Sequence, residues 1–282
     1  MPREGPSPER VARLVRAALD EDIGAGDLTT AVTVPEGARA RGLLVAKQEL
    51  VVAGLDVALA AFRALDPAAA WQPEGGDGDR FFPGTVIGAV SGRARALLSA
   101  ERVALNFLQR LSGIATLTRR FVDAVAGTGA RIRDTRKTTP LLRFLEKYAV
   151  EVGGGVAHRS GLDAAMLVKD NHVRLVGSVR AATLRAVAGS EGGEVEIEVD
   201  DPEQMGEALA AGAGMILLDN FAPDQVRAAV ARLAGRVPVE VSGGIRLENV
   251  REYAEAGPDY IAVGALTHSA PAVDVSLEVE PA

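Results

Sequence analysis

VEIEVDDPEQMGEALAAGAGMILLDNFAPDQVRAAVARLAGRVPVEVSGGI, residues 195–245, alternates short apolar runs with longer helical patterns. The runs at 195–199, 215–218 and 237–241 have strand length, and the segments 202–211 and 223–233 between them carry helical periodicity. Both helices open with a proline signal, Asp201-Pro202 and Ala222-Pro223, where the missing N–H costs little because first-turn donors lack an intrahelical partner. Strand and helix recurring every 20 to 30 residues or so specify parallel strands, since the chain must cross back before the next strand begins.

The pattern extends in both directions. Further strands are expected near Ile132, at 166–168 and at 260–263, with helices at 179–188 and 247–256. Polar residues close every strand at its C-terminal end, which favours an α/β barrel over an open sheet, and six visible strands make that barrel incomplete. Upstream, residues 1–110 read as a separate mixed α/β unit, with a helix at 8–19, strand-like runs at 41–46, 85–90 and 94–98, and a loop-rich stretch at 67–83. From Ser99 the residues Val103, Phe107, Leu111, Ile114 and Leu117 recur at spacings of three and four. They predict a long helix to about Val125 that bridges the first domain and a barrel domain over 111–269.

Composition narrows the function. The 282 residues are 48% hydrophobic and 24% charged, as in a soluble globular protein, and no run reaches the roughly 18 apolar residues of a spanning helix. Met1-Pro2-Arg3-Glu4 lacks the apolar core of a signal peptide, so the expectation is a cytoplasmic protein without a membrane partner. The absence of cysteine excludes disulfides, thiolate metal sites and cysteine nucleophiles. A net charge of −7 argues against nucleic-acid binding. Residues 131–174 run against that average, with nine Arg or Lys facing five acids, and suit a small polyanionic ligand.

Barrel enzymes keep their chemistry at the C-terminal ends of the strands. Those positions hold Asp134-Thr135-Arg136-Lys137-Thr138-Thr139, Lys169-Asp170-Asn171-His172, Glu198-Val199-Asp200, Asp219-Asn220, Ser242-Gly243-Gly244 and Gly264-Ala265. A lone charge at such a place is usually a solvated loop or a helix cap; six groups in succession shift the balance toward a site. Guanidinium forks bind carboxylates bidentately and ammonium groups act as compact charges, so Arg136, Arg159, Lys137 and Lys169 fit a ligand with several acid groups. His158 is placed to hydrogen-bond a carboxylate. Glu198 and Asp219 end consecutive strands; such a pair can hold Mg²⁺, bind ribose hydroxyls or stabilise an oxocarbenium-like centre. Ser242, Gly243 and Gly244, with Val263, Gly264 and Ala265, end the last two strands, where barrels commonly hold phosphate.

The same residues carry a resemblance to a known family. LDEDIGAGDLTT from Leu19, ERVALNFLQRLSGIAT from Glu101, DTRKTTP from Asp134, GGGVAHR from Gly153, LVKDNH from Leu167, EVSGGI from Glu240 and DYIAVGALTHS from Asp259 resemble quinolinate phosphoribosyltransferases. That resemblance implies an N-terminal α/β sandwich and an incomplete, seven-stranded α/β barrel of the type II phosphoribosyltransferase kind, with the tail 270–282 returning to the first domain. It implies the substrates quinolinate and phosphoribosyl pyrophosphate, and Mg²⁺ as cofactor. Arg136, Lys137, His158, Arg159 and Lys169 would hold quinolinate, with Thr135 a further substrate-binding residue, and Arg102 would reach in from the partner subunit of a homodimer or a larger assembly of dimers. Glu198 and Asp219 would face ribose and Mg²⁺, with Lys137 and Lys169 sharing the catalytic work. Two positions depart from the family pattern: Leu141 stands where a glycine usually follows TTP, and Ala157 where an asparagine commonly precedes His-Arg. Alternatives at this stage are a nicotinate-specific enzyme, a pyrophosphorylase-like protein associated with molybdenum transport, and a non-catalytic phosphate-binding barrel.

Overall fold

A computed structural model describes residues 5–282. Two compact units emerge, one holding residues up to Leu117, Phe144–Gly153 and Ala270–Ala282, the other Thr118–Arg143 and Gly154–Ser269. The division differs from a cut at 110 in two ways: it falls at Leu117, and the segment Phe144–Gly153 belongs with the first unit.

The chain begins with α1 (Pro8–Ile23), α2 (Leu28–Thr33), β1 (Arg39–Ala46), β2 (Leu50–Val51) and α3 (Leu55–Leu65). It continues through β3 (Ala70–Pro73), β4 (Arg80–Phe81), β5 (Val86–Arg93) and the 31-residue α4 (Ala94–Ala124). β6 (Arg131–Arg133) opens the second unit, and α5 (Arg143–Val152) falls almost wholly in the first. The second unit resumes with β7 (Met166–Val168), α6 (Asp170–Val176), α7 (Val179–Gly189), β8 (Val195–Val199) and α8 (Gln204–Ala210). It ends with β9 (Met215–Asp219), α9 (Pro223–Leu233), β10 (Val239–Ser242), α10 (Val250–Glu255), β11 (Tyr260–Ala262) and α11 (Ala265–His268). β12 (Val275–Pro281) returns to the first unit, where it pairs antiparallel with β1.

In the first unit the sheet order is β12-β1-β5-β3. α1 turns Val11, Val15 and Leu19 to the interior at steps of four, the spacing of one helix face. Residues 94–98 are not a strand: they are the first turn of α4. Ala-Arg-Ala-Leu-Leu contains no β-branched residue and is strongly helix-forming, so local propensity decides against the short apolar run. α4 tolerates Gly113 because the chain passes against it; a Cβ there would lie 2.1 Å from the Pro271 carbonyl oxygen.

The second unit is a six-stranded parallel sheet in the order β6-β11-β10-β9-β8-β7. Val156 adds a single parallel bridge beside Arg133, standing where a seventh strand would complete the set. Between Val156 and β7 no pairing occurs among the described residues, so the ring is open there. Buried Ile132, Ile197, Ile216, Leu218 and Val241 fill the spaces between strands and helices. Helices α7 and α9 match the sequence reading within a residue. α8 starts at Gln204 rather than Pro202, which occupies the preceding turn.

Candidate active site

The C-terminal ends of the parallel strands surround a cavity of about 410 Å³. Thr135, Arg136, Lys137, His158, Arg159, Lys169, Glu198, Asp219 and Ser242 from the sequence reading line it. Leu167, Leu217, Glu240 and Ala262 line it as well. Gly243, Gly244, Val263, Gly264 and Ala265 are not among its lining residues, and neither is Arg102, which is exposed on α4 in the first unit.

Two loops carry most of the positive charge, and local bonds hold both. Lys137 N–H donates to Thr135 Oγ1 at 3.0 Å, and the Thr267 hydroxyl donates to the Lys137 carbonyl at 2.8 Å. Arg143 ties the loops together: its Nε donates to Thr138 Oγ1 at 3.0 Å and its Nη1 to the Ser160 carbonyl at 3.1 Å. Gly264 leaves room for Lys137, whose Cδ would be 3.1 Å from an added Cβ. Arg136 lines the cavity and keeps a buried Nε without a hydrogen-bond partner in the protein. Arg159 is partly buried, and desolvation, then the nearby Arg136 charge, lower its pKa against an opposing effect of Glu196. Gathered cations of this kind bind anions strongly because ligand charge relieves their mutual repulsion.

On the opposite wall Lys169 Nζ is hydrogen-bonded to Glu198 Oε2. Asp219 is half-buried, and its carboxyl is raised above the usual range by desolvation and then by Glu198, with Lys169 and Lys137 pulling the other way. A second cavity of about 430 Å³ opens beside it, lined by Asp170, Glu198, Asp200, Asp219 and Asn220 among others. The glycine loop after β10 is shaped by close approach. Gly243 has φ +98°, and a Cβ on it would lie 2.2 Å from Asn220 Oδ1, so no other residue fits without moving that side chain.

His158 lines the cavity and is also held by the protein around it. Its backbone N–H donates to the fully buried Asp134 at 2.7 Å, Nε2 lies 2.9 Å from Glu196 Oε2, and Nδ1 accepts from the Arg159 N–H at 2.7 Å. Both ring nitrogens are engaged within the protein. Glu196 and Glu240 were not singled out from sequence, although strand alternation points to them: Glu196 is two residues before Glu198 and Glu240 two before Ser242, hence on the same faces. Glu240 is 1% exposed and bonded to Arg133 Nη1 at 2.6 Å. Burial and then neighbouring Glu196 raise its pKa to about 7, opposed by His158 and Arg133. Leu141, the departure from the family pattern, adopts φ +68° while 84% exposed.

Parallel strands that deliver paired carboxylates, four cations and a glycine turn to one end of an open barrel define an α/β-barrel enzyme for a polyanionic substrate. The comparisons make this specific. Residues 27–112 match the N-terminal domain of quinolinate phosphoribosyl transferase and residues 114–278 its C-terminal domain, so the chain belongs to the quinolinate phosphoribosyltransferase family. It is 48% identical over 274 residues to the nicotinate-nucleotide pyrophosphorylase [carboxylating] of Mycobacterium leprae, covering 94% of this chain and 95% of that one. A probable enzyme of the same name from Bacillus subtilis is 44% identical, with coverages of 96% and 93%. The crystal structure of NadC from Streptococcus pyogenes superposes with a TM-score of 0.96 at 39% identity, covering 99% of this chain and 100% of that one.

Proposed function

We propose that this chain transfers the phosphoribosyl group of phosphoribosyl pyrophosphate to quinolinate with loss of CO₂, giving nicotinate mononucleotide and pyrophosphate for NAD biosynthesis. The observation that carries the reading is the convergence of Arg136, Lys137, Arg159 and Lys169 on one cavity beside Glu198 and Asp219, in a member of this family. Incubation with quinolinate, phosphoribosyl pyrophosphate and Mg²⁺ is expected to release CO₂ and the mononucleotide together. Folded protein that releases neither refutes it.

Arg136 and Arg159 grip the two carboxylates of quinolinate, with Thr135 at the cavity edge, and Lys137 and Lys169 supply compact positive charge nearby. The pyridine nitrogen attacks the anomeric carbon as pyrophosphate departs, through an oxocarbenium-like transition state that Glu198 and Asp219 stabilise. The ring nitrogen then carries positive charge, which stabilises the electron pair left on the adjacent carbon when its bond to the carboxylate breaks and CO₂ leaves; that carbon then takes up a proton from water. Lys137 or Lys169 adds to that stabilisation. Ser242, Gly243 and Gly244, with Val263, Gly264 and Ala265, receive phosphate; the support is their place at the ends of β10 and β11.

Glu198 and Asp219 offer only carboxylate oxygens, as a hard divalent cation requires; the Asp219 carboxyl is raised first by desolvation and then by the Glu198 charge, and a cation would relieve the second of these. Mg²⁺ held there would offset negative charge on the pyrophosphate oxygens.

The reading includes a homodimer, or a larger assembly of dimers, in which Arg102 completes the partner's quinolinate site; its exposure on α4 supports this. Arg102→Ala and Lys137→Ala proteins would each be nearly inactive and would recover activity on mixing, because some hybrid dimers keep one intact site. Verified subunit exchange without recovery would overturn the shared site. A cytoplasmic location belongs to the same reading; no described helix is long and apolar enough to cross a membrane.

A further inference from the structure

Along one side of the cavity, His158, Glu196, Glu240 and Arg133 form a largely buried polar cluster, of which His158 and Glu240 line the cavity itself. Glu240 and Glu196 are 1% and 6% exposed, and ligand atoms of His158, Glu196 and Glu240 lie close enough to suggest a metal site. The hydrogen bonds argue against a metal. Nδ1 of His158 accepts the Arg159 N–H, so the proton of the neutral ring sits on Nε2, the atom a metal would need. That proton points at Glu196 Oε2, 2.9 Å away. Glu240 Oε1, at 3.7 Å from Nε2, is too distant to compete, and its other oxygen is taken by Arg133.

The arrangement is therefore a chain of fixed donors and acceptors. Glu196 accepts from Nε2–H, which leaves Nδ1 as an acceptor, and Nδ1 in turn receives the Arg159 N–H. Asp134 receives the His158 N–H. Two successive amides are thereby pinned directly before the guanidinium that lines the cavity.

We propose that Glu196 is a positioning residue for substrate binding: by holding His158 in its Nε2–H tautomer it fixes the backbone of Arg159. Arg133 and Glu240 brace the cluster. Reversal of the ring proton would set Nδ1–H against the Arg159 N–H, two donors face to face, and displace the loop. The proposal rests on the reading of this cavity as the quinolinate site.

Nitrogen NMR of histidine-labelled protein tests the tautomer without reference to activity. The chain has three histidines, and His158→Gln assigns the signal. The expected spectrum has an unprotonated Nδ1 and a protonated Nε2; a protonated Nδ1 in the wild-type protein overturns the proposal. Kinetics test the consequence. Glu196→Leu removes the acceptor and is expected to raise the KM for quinolinate about tenfold, with the KM for phosphoribosyl pyrophosphate unchanged, while Glu196→Gln, which keeps an acceptor oxygen, restores most of the loss. An unchanged quinolinate KM in the Leu variant, an equal rise in both constants, or failure of Gln to rescue each overturns it. Should Glu196→Leu not fold, the wild-type spectrum and the Gln variant decide. Wild-type protein that does not turn over quinolinate would defeat the functional reading, and the spectrum would still report the tautomer.

Discussion

Lys169 and Glu198 are hydrogen-bonded to each other on one wall of the cavity, from the ends of neighbouring strands β7 and β8. The pair divides the site into a carboxylate side, with Asp219, and a cationic side, with Arg136 and Arg159. Substitutions on the two sides are expected to differ in kind. Glu198→Ala and Asp219→Ala should lower turnover and the use of phosphoribosyl pyrophosphate. Arg136→Ala and Arg159→Ala should weaken quinolinate binding by roughly 2 to 5 kcal/mol, the cost of removing a bidentate charged contact. Calorimetry with quinolinate checks this, and unchanged affinity in both arginine variants would show the diacid to be placed elsewhere.

Much of this site is readable from the chain, for a definite reason. A buried strand that suddenly carries Lys169, Glu198 or Asp219 at its end announces a polar cavity, because charge is not left beside a core without a use. Other features leave weaker traces. α6 has no buried residue, so Asp170-Asn171-His172 shows no helical stripe. Residues 94–98 suit a strand by apolar content and a helix by propensity, and only the second holds. Glu196 was legible in principle from Val-Glu-Ile-Glu-Val, where alternation sets both acids on one face. The tautomer of His158 depends on its partners in space, which no single stretch of sequence reveals.

The glycine pair after β10 separates steric need from backbone freedom. Gly243 and Gly244 both have positive φ, yet only Gly243 has a neighbour in the way of a Cβ. Gly243→Ala is expected to displace Asn220, raise the KM for phosphoribosyl pyrophosphate at least about tenfold and lower the melting temperature. Gly244→Ala should cost only about 1 to 2 kcal/mol of backbone strain. Matched melting curves and kinetics of the two variants check the contrast.

At Leu141 the chain carries a strained, exposed residue, with φ +68° and no buried surface to compensate. Leu141→Gly relieves a left-handed strain of about 1 to 2 kcal/mol and gives back part of it as unfolded-state entropy. The expected net gain is about 0.5 to 1 kcal/mol, measured by denaturant unfolding, and a destabilised glycine variant would contradict it.

Glu240 gives stability a pH dependence of determinable sign. Its pKa in the folded protein is raised from 4.5 to about 7, so the folded state holds this proton more tightly than the unfolded chain. The associated stability is fully present below about pH 4.5 and is lost as pH rises through 7, at up to about 1.4 kcal/mol per pH unit. Glu240→Gln, neutral at every pH, should flatten that fall. Urea titrations of both proteins at a series of pH values between roughly 5 and 8 check it; equal slopes would show that another group carries the dependence.

Quinolinate and nicotinate differ by one carboxylate, and the proposed function assigns the four cations of the cavity to two. Arg136, Lys137, Arg159 and Lys169 line it, against Glu198, Asp219 and Glu240, with Glu198 already bonded to Lys169 and Glu240 to Arg133. A monoacid would leave part of the guanidinium face unpaired, and a partly buried charge without its partner costs several kcal/mol. Discrimination of at least about a hundredfold in kcat/KM follows. Nicotinate also lacks the group lost as CO₂, so the irreversible step that pulls the sequence forward is missing. Paired kinetics with each acid, at saturating phosphoribosyl pyrophosphate and Mg²⁺ with detection of the mononucleotide, measure the ratio. Equal efficiency on nicotinate would overturn the diacid reading of the four cations while leaving phosphoribosyl transfer by this barrel in place.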